Sequence, residues 1–168
     1  MGDDANQDAS AYVQYGCGLC APPTWTNFDV SPTLRLQKVP VVGALARIGR
    51  TTFPRNARYG DVIQGLPVAA GSCKAVYCSH ILEHLSLEDC RTAIKNSFSL
   101  LRPGGTFRFV LPDLEFHLRK YIESKSPRAA VEFMEQSWLG VVKRPRGVRH
   151  FVHQWLGNAG HLWMWDYN

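Results

Sequence analysis

The stretch GSCKAVYCSHILEHLS, residues 71–86, decides the fold class of this chain. Within it, Ala75–Cys78 is a continuous apolar run between a Gly-Ser turn and polar residues, which is typical of a strand buried in a parallel sheet. The stretch ends at a capping-box-like helix start, Ser86-Leu-Glu-Asp89, in which the acid stands three residues after the serine. It therefore predicts a buried strand that leads into an amphipathic helix.

Strands and helices alternate on both sides of this stretch. The predicted strands are Ala11–Tyr15, Trp25–Val30, Tyr59–Gln64, Ala75–Cys78 and Thr106–Leu111. The predicted helices are a weak or irregular segment over Leu34–Ile48 that breaks at Pro40, the helix that starts at Ser86 and ends before Pro103-Gly104-Gly105, and two amphipathic helices over Leu114–Glu123 and Arg128–Leu139. This alternation predicts an α/β fold: a Rossmann-like, doubly wound, mostly parallel sheet of about five strands with flanking helices.

The length and composition predict one water-soluble domain. The 168 residues show no internal repeat, so residues 11–168 are expected to form a single domain behind a loose polar tail, residues 1–10. No apolar run approaches the roughly 18–20 residues that a membrane span needs. The cysteine count of five and the lack of a secretory signal predict a cytoplasmic protein without a disulfide framework.

Positive charge is concentrated in one stretch, Lys143–His150, of a chain with net charge +5. Such a stretch could hold a phosphate-bearing substrate, a membrane surface or RNA, although a solvated basic loop is the plainer interpretation. The aromatic residues that follow are not interleaved with the basic ones, so nucleic-acid binding is not expected.

The carboxyl ends of the predicted strands mark the candidate site, because open parallel sheets bind ligands there, at the topological switch point. The residues at those ends are Gly16–Gly18, Asp29, Asp61, Ser79-His80 and Pro112-Asp113. The glycines permit a tight turn that a ligand can approach closely. Asp29 can accept hydrogen bonds from both hydroxyls of a ribose, although a surface aspartate before a turn is the alternative.

Five stretches carry a resemblance to a known family. In chain order they are YGCG (15–18), NFDVSP (27–32), YGDVIQGLPV (59–68), GSCKAVYCSHILEHLS (71–86) and LLRPGGTFRFVLPDLE (100–115). They resemble the successive motifs of class I S-adenosylmethionine-dependent methyltransferases, and are most similar to the type 11 methyltransferase domain. The resemblance covers roughly Tyr12 to Asp113. It implies S-adenosylmethionine as the cofactor and methyl transfer to an unidentified oxygen or nitrogen acceptor.

The resemblance also implies a set of cofactor-binding residues: Tyr15, Gly16, Cys17, Gly18, Asp29, Val30, Asp61, Val62, Cys78, Ser79 and His80. The glycine loop would pass under the methionine part of the cofactor, Asp29 would bind the ribose hydroxyls, and Asp61 would lie by the adenine amino group. Cys78 and Ser79 would offer backbone groups to the methionine ammonium and carboxylate.

His80 is the candidate catalytic base, because the resemblance places it near the transferable methyl group and a histidine titrates near neutral pH. The alternative is that His80 only hydrogen-bonds the backbone at a strand end. No metal ligand is predicted. Glu83 and His84 are expected to anchor the next segment, although a similar patch can take part in metal binding in ubiquinone-pathway O-methyltransferases.

The glycine-rich motif departs from the family pattern. Cys20 stands where a third glycine is usual, and Pro22-Pro23 follows. Asp29 comes only thirteen positions after Gly16, too few for a loop, a normal helix and a strand. The first helix is therefore predicted to be reduced to a turn or loop. Cys17 and Cys20 form a C-x-x-C, but a second pair at zinc-finger spacing is missing, so a redox or zinc role is not expected.

The end of the chain departs as well, because related sequences continue with one more helix and an antiparallel strand pair. We expect that pair to be absent here, whether the chain is truncated or naturally short. The edge beside the fifth strand would then be covered by the residues from Gly140 onward or by a second subunit, as in a homodimer.

Two other functions remain open. One is a catalytically degenerate methyltransferase fold that acts as a binding module. The other is a nucleotide-dependent oxidoreductase, which would need a fuller Gly-x-Gly-x-x-Gly than the sequence holds. A small or medium acceptor could meet the aromatic side chains Trp138, Trp155, Trp163 and Trp165, and an acidic one could meet Arg144, Arg146 and Arg149; core packing is the plainer role of the tryptophans.

Overall fold

The computed structural model describes residues 11–38, 52–140 and 160–166. The strands are β1 (Tyr12–Tyr15), β2 (Thr26–Asp29), β3 (Ala57–Tyr59), β4 (Cys73–Ser79) and β5 (Leu101–Val110). The helices are α1 (Pro32–Gln37), α2 (Leu87–Leu100), α3 (Leu114–Glu123) and α4 (Ala129–Gln136), and a 3₁₀ turn covers Leu82–His84. No helix in these ranges is long and apolar enough to cross a bilayer.

The strands form one five-stranded sheet in the order β3-β2-β1-β4-β5. β1 pairs in parallel with both β2 and β4, and β2 pairs in parallel with β3. β5 runs along β4 in the same direction: Gly105 lies beside the carbonyl oxygen of Cys73, and the backbone N–H of His80 donates to the carbonyl of Val110 at 3.0 Å. The predicted parallel α/β fold is confirmed.

The chain falls into two compact units. The first comprises the described residues within 1–79 and 91–109, and it holds the strands up to Phe109 and most of α2. The second comprises those within 80–90 and 110–168, and it holds the 3₁₀ turn, α3 and α4. The single domain over residues 11–168 stays a prediction, and the predicted tail, residues 1–10, lies outside the described residues.

A loop replaces the first helix of the alternation, as the sequence predicts. Residues 16–25 contain turns but no helix. Two buried amide side chains of the neighbouring strands hold this loop: Gln14 Nε2 donates to the carbonyl of Cys20 at 2.8 Å, and Asn27 Nδ2 donates to the carbonyls of Pro22 and Trp25 at 2.9 and 2.7 Å. These bonds satisfy loop carbonyls that a helix would have paired internally.

The start of α2 confirms the capping-box prediction. Ser86 Oγ accepts a hydrogen bond from the backbone N–H of Asp89 at 3.1 Å and donates to the Asp89 carboxylate at 2.8 Å. The bond to the Asp89 N–H satisfies one of the donors that the first turn of a helix leaves unpaired. The apolar face behind it includes Cys90, Ala93 and Leu100, which are all buried.

Two predicted strands have wrong bounds. The strand predicted over Tyr59–Gln64 is β3, which begins two residues earlier and already ends at Tyr59. The chain turns there, because the Asp61 carboxylate accepts a hydrogen bond from the N–H of Ile63 at 2.9 Å. Thr106–Leu111 was too short, since β5 already begins at Leu101. β5 is the last strand of the sheet in the described part of the chain, and an edge strand can hold a proline such as Pro103.

The helix predictions differ less. Leu114–Glu123 matches α3. The helix predicted over Arg128–Leu139 is α4, which begins one residue later and ends three residues earlier. The segment predicted over Leu34–Ile48 contains α1, but the predicted break at Pro40 lies outside the described residues. Beyond β5, the described residues add an isolated bridge between Asp113 and Trp165 and no further strand to the sheet.

Candidate functional site

The strand order places a topological switch point between β1 and β4. The chain runs from β1 outward to β2 and β3, and then returns to β4 on the other side of β1. Open parallel sheets generally bind ligands at the carboxyl ends of the strands beside such a point. The predicted site residues of the first unit lie at, or shortly after, the carboxyl ends of β1, β2, β3 and β4.

The loop after β1 has the backbone geometry that the two glycines predicted. Gly16 and Gly18 have φ angles of +64° and +52°, in the left-handed region that favours glycine. The N–H of Cys17 between them donates to the carbonyl of Phe28 at 3.0 Å, which continues the contact with β2. No described heavy atom lies within 4 Å of the position that a Cβ on Gly18 would take. A ligand can therefore approach the backbone closely.

Asp29, the last residue of β2, holds this loop in place. Its Oδ2 accepts the N–H of Gly18 at 2.9 Å, and its Oδ1 accepts the N–H of Ser31 at 2.8 Å. The side chain is buried, with 8% exposed. A carboxylate oxygen has two lone-pair positions, so each oxygen retains one for a ligand hydroxyl. The sequence predicted a ribose contact but not these two bonds.

The loop after β3 carries Asp61 and Val62. Asp61 is half-buried and uses one carboxylate oxygen in its own turn. The carbonyls of Val62 and Ile63 both accept the Asn96 side-chain amide, at 2.7 and 3.0 Å. Asn96, on α2, therefore fixes this loop, and no motif in the sequence pointed to it.

Gly60 is a further residue that sequence reasoning missed. A Cβ there would lie 2.6 Å from Phe28 Cδ1 and 3.0 Å from Leu66 Cδ2, closer than side chains approach one another. Its N–H donates to the carbonyl of Asp29 at 3.2 Å. Only glycine therefore lets β3 turn away this close to the end of β2. The glycine in the stretch YGDV was the available signal.

Several predicted cofactor-binding residues face inward. The side chains of Tyr15, Cys17 and Cys78 are buried, so only their backbone groups could contact a ligand. Ser79 is half-buried, whereas Val30 is half-exposed beyond the end of β2 and could cover a flat ring.

The two cysteines of the C-x-x-C motif differ in environment. Cys17 is buried, and burial, followed by the negative charge of Asp29, raises the pKa of its thiol to about 11. Cys20 is exposed. Redox-active C-x-x-C pairs instead lower a thiol pKa, so this environment does not favour redox chemistry.

A thiol-specific disulfide reagent at pH 7.5 is expected to react rapidly with one equivalent of thiol, that of Cys20, because the other four cysteines are buried and burial also raises the pKa values of Cys73 and Cys90. The Cys20→Ser variant should lose the fast phase, and the Cys17→Ser variant should retain it. Two thiols that react together, or a Cys17–Cys20 disulfide after mild oxidation, would contradict this assignment.

His80 belongs to the second unit and follows the last residue of β4. It has a φ angle of +54°, and its Nδ1 lies 3.0 Å from Oε1 of Glu83. The His80 side chain is 60% exposed, whereas that of Glu83 is fully buried. If Nδ1–H donates a hydrogen bond to the ionised carboxylate, the neutral ring carries its lone pair on Nε2. That nitrogen could accept a proton.

Glu83 also lies beside two further histidines of the second unit. His161 Nε2 is 4.0 Å from Glu83 Oε1, and the rings of His84 and His161 lie 5.1 Å apart. Burial, the largest cause, lowers the pKa of His161. The sequence pointed to Glu83 and His84 but not to His161, which is distant in the chain and belongs to no recognised motif.

The predicted acceptor-binding residues are only partly described. Trp138 is exposed and stacks on His161 with ring centroids 6.1 Å apart. The ring centroids of Trp163 and Trp165 lie 6.2 Å apart. The other predicted residues, Trp155, Arg144, Arg146 and Arg149, lie outside the described part of the chain.

A family model described as a methyltransferase domain matches residues 14–109. No curated protein matches the chain. The solved structure of PKMT2 from Rickettsia typhi in complex with AdoHcy is similar to it at 15% identity, with a TM-score of 0.46, over 96% of this chain and 37% of that one. This chain therefore spans little more than a third of the length of that protein chain.

Proposed function

We propose that this chain, which belongs to the methyltransferase-domain family, binds S-adenosylmethionine and transfers its methyl group to an oxygen or nitrogen acceptor. The observation that carries the proposal is the carboxylate of Asp29, the last residue of β2. It accepts the N–H of Gly18, in the loop whose two glycines have positive φ angles, and it retains an acceptor position on each oxygen. A ribose presents two adjacent hydroxyl donors, which match these two positions.

The residues around Asp29 fit the other parts of such a cofactor. The backbone at Gly18 is open to a close approach, as the methionine part requires. Val30 exposes an apolar side chain for one face of the adenine. The remaining carboxylate oxygen of Asp61 would accept a hydrogen bond from the adenine amino group. The backbone groups of Cys78 and Ser79, at the end of β4, would meet the methionine ammonium and carboxylate.

The chemistry asks little of the protein beyond alignment. The cofactor supplies a methyl group that its sulfonium already activates, so in-line displacement mainly requires the acceptor to be positioned. A base is needed when the acceptor must lose a proton. We assign that role to His80, whose Nδ1 contact with the buried Glu83 leaves Nε2 to take the proton.

A transfer assay tests the proposal. The purified chain, incubated with methyl-tritiated S-adenosylmethionine and a panel of phenols, carboxylic acids, amines and short peptides, should form S-adenosylhomocysteine only when an acceptor is present. Acidic acceptors should do best if Arg144, Arg146 and Arg149 bind them. Heat-denatured chain is the control. Acceptor-independent counts, or none with every class, would contradict transfer by this chain.

A binding module without transfer activity is the second candidate. It is favoured by the bonds of Asp29, both of whose oxygens already accept backbone N–H groups, so the carboxylate has a structural role even without a ligand. A chain that binds the cofactor and transfers its methyl group to no acceptor would fit this candidate. The predicted homodimer and the predicted cytoplasmic location remain part of both proposals.

A further inference from the structure

We propose that Glu83, His84 and His161 form a binding site for a divalent transition-metal ion, and that zinc is the ion it fits best. The site lies wholly within the second unit, and it rests neither on the proposed methyl transfer nor on the cofactor site.

The three side chains converge. Each offers one ligand atom, and these atoms all lie within 4.8 Å of one another. His161 Nε2 lies 4.0 Å from Glu83 Oε1. Ligand atoms on a tetrahedral zinc are roughly 3.4 Å apart, given zinc–ligand distances of about 2.0–2.1 Å. Side-chain rotations that move each ligand atom by about an ångström would therefore bring the three atoms to binding distance of one ion.

Both histidine rings are oriented as metal ligands usually are. His84 Nδ1 lies 3.0 Å from the carbonyl oxygen of Gly160, and His161 Nδ1 lies 2.7 Å from the carbonyl oxygen of Ser137. A carbonyl oxygen can only accept, so each Nδ1 must carry a proton, and in the neutral ring each Nε2 then carries a lone pair. Metal-bound histidines make this outer hydrogen bond, which fixes the tautomer and the ring orientation.

Glu83 supplies an independent observation. Its side chain is completely buried, and its Oε2 has no hydrogen-bond partner among the described residues. A buried carboxylate oxygen without a partner is unfavourable unless a donor or a cation compensates it. The other oxygen, Oε1, is held by His80 Nδ1, which would orient the carboxylate toward the ion.

The backbone joins the two segments that supply the ligands. The carbonyl oxygen of Glu83 accepts the N–H groups of Leu162 and Trp163, at 2.8 and 3.2 Å. These bonds directly follow His161 in the chain and keep its segment beside the 3₁₀ turn that carries Glu83 and His84. The ligands are therefore positioned by backbone as well as by side-chain contacts.

The ligand types select the class of ion. Two imidazoles and one carboxylate suit zinc, which binds such sets with a fourth position left for water or a substrate. Magnesium and calcium prefer sites made of oxygen atoms, so they should bind much more weakly here.

Zinc titration of the full chain tests the proposal. After treatment with a chelator and desalting, the chain should bind one equivalent of Zn²⁺ in competition with a chromophoric chelator. The His84→Asn and His161→Asn variants should each lose about tenfold or more in affinity, since asparagine keeps an amide donor near the Nδ1 position but removes the Nε2 ligand. His117→Asn on α3 is the matched control, and Cys20→Ser tests the exposed thiol; both should bind as the original chain does.

Co²⁺ provides a second readout that a purely structural role would not change. The chain loaded with Co²⁺ should show the visible absorption of a four-coordinate site, and each ligand variant that circular dichroism shows to be folded should lose it. The two variants are independent, so one can serve if the other does not fold. Unchanged zinc affinity in a folded ligand variant would overturn the proposal, and so would a folded original chain that binds no zinc. Neither result bears on the Asp29 site.

Discussion

The Asp29→Ala variant is expected to bind S-adenosylmethionine about 100-fold more weakly than the original chain. Two hydrogen bonds from ribose hydroxyls to a carboxylate contribute about 1.5 kcal/mol each, and about 1.4 kcal/mol corresponds to tenfold in affinity. The variant also frees the N–H groups of Gly18 and Ser31, which loosens the glycine loop under the cofactor. Calorimetric titration with S-adenosylmethionine and S-adenosylhomocysteine measures the loss.

Controls separate lost recognition from lost folding. Glu123→Ala removes an exposed acid at the end of α3 and should leave the affinity unchanged. Asp29→Asn keeps the shape and one acceptor oxygen, so its affinity should lie between those of the alanine variant and the original chain. Thermal unfolding of each variant checks that the titrated chain is folded. An Asp29→Ala chain that is folded and binds within threefold of the original would refute the ribose contact.

The His80→Asn variant is expected to lower kcat for a hydroxyl acceptor about 100-fold or more, the usual contribution of a positioned general base. Asparagine tolerates the φ angle of +54° and can donate an amide hydrogen toward Glu83, so the local fold should persist. It cannot take the proton that imidazole Nε2 accepts. The affinity for S-adenosylmethionine should stay the same.

The measurement pairs kcat from the transfer assay with a calorimetric Kd for the cofactor. His117→Asn, on α3, is the matched histidine control and should change neither quantity. An amine acceptor that is neutral at the assay pH needs no base before attack, so its kcat should fall much less. Equal kcat values for the His80→Asn variant and the original chain with a hydroxyl acceptor would leave His80 with a backbone role only.

Local signals in the sequence predict most of the fold. The apolar run Ala75–Cys78 and the serine cap at Ser86 depend on residues close in the chain, and both have counterparts in the structure. The missing first helix also followed from a local argument, since Pro22-Pro23 and the short spacing leave no room for one. The wrong bounds of β3 and β5 arose because turn chemistry at Asp61 and edge pairing near Pro103 outweigh intrinsic strand preference.

The site residues that sequence reasoning missed depend on contacts between distant parts of the chain. Asn96 fixes the loop after β3 from a helix more than thirty residues later, and Gly60 is required by the ring of Phe28. His161 meets Glu83 only because the chain returns to the 3₁₀ turn. The periodicity of side chains along a sequence does not encode contacts between distant residues. The sequence therefore predicts which strand ends form the site, but not which distant residues hold the loops at those ends.

Calorimetric titration of the original chain with S-adenosylmethionine, S-adenosylhomocysteine and NADH shows which cofactor the chain binds. We expect one binding site for each of the first two ligands, with micromolar affinity, and no binding of NADH. A folded chain that binds NADH in preference, or that binds neither sulfur-containing ligand, would contradict the assignment of the Gly16–Gly18 and Asp29 site to this cofactor.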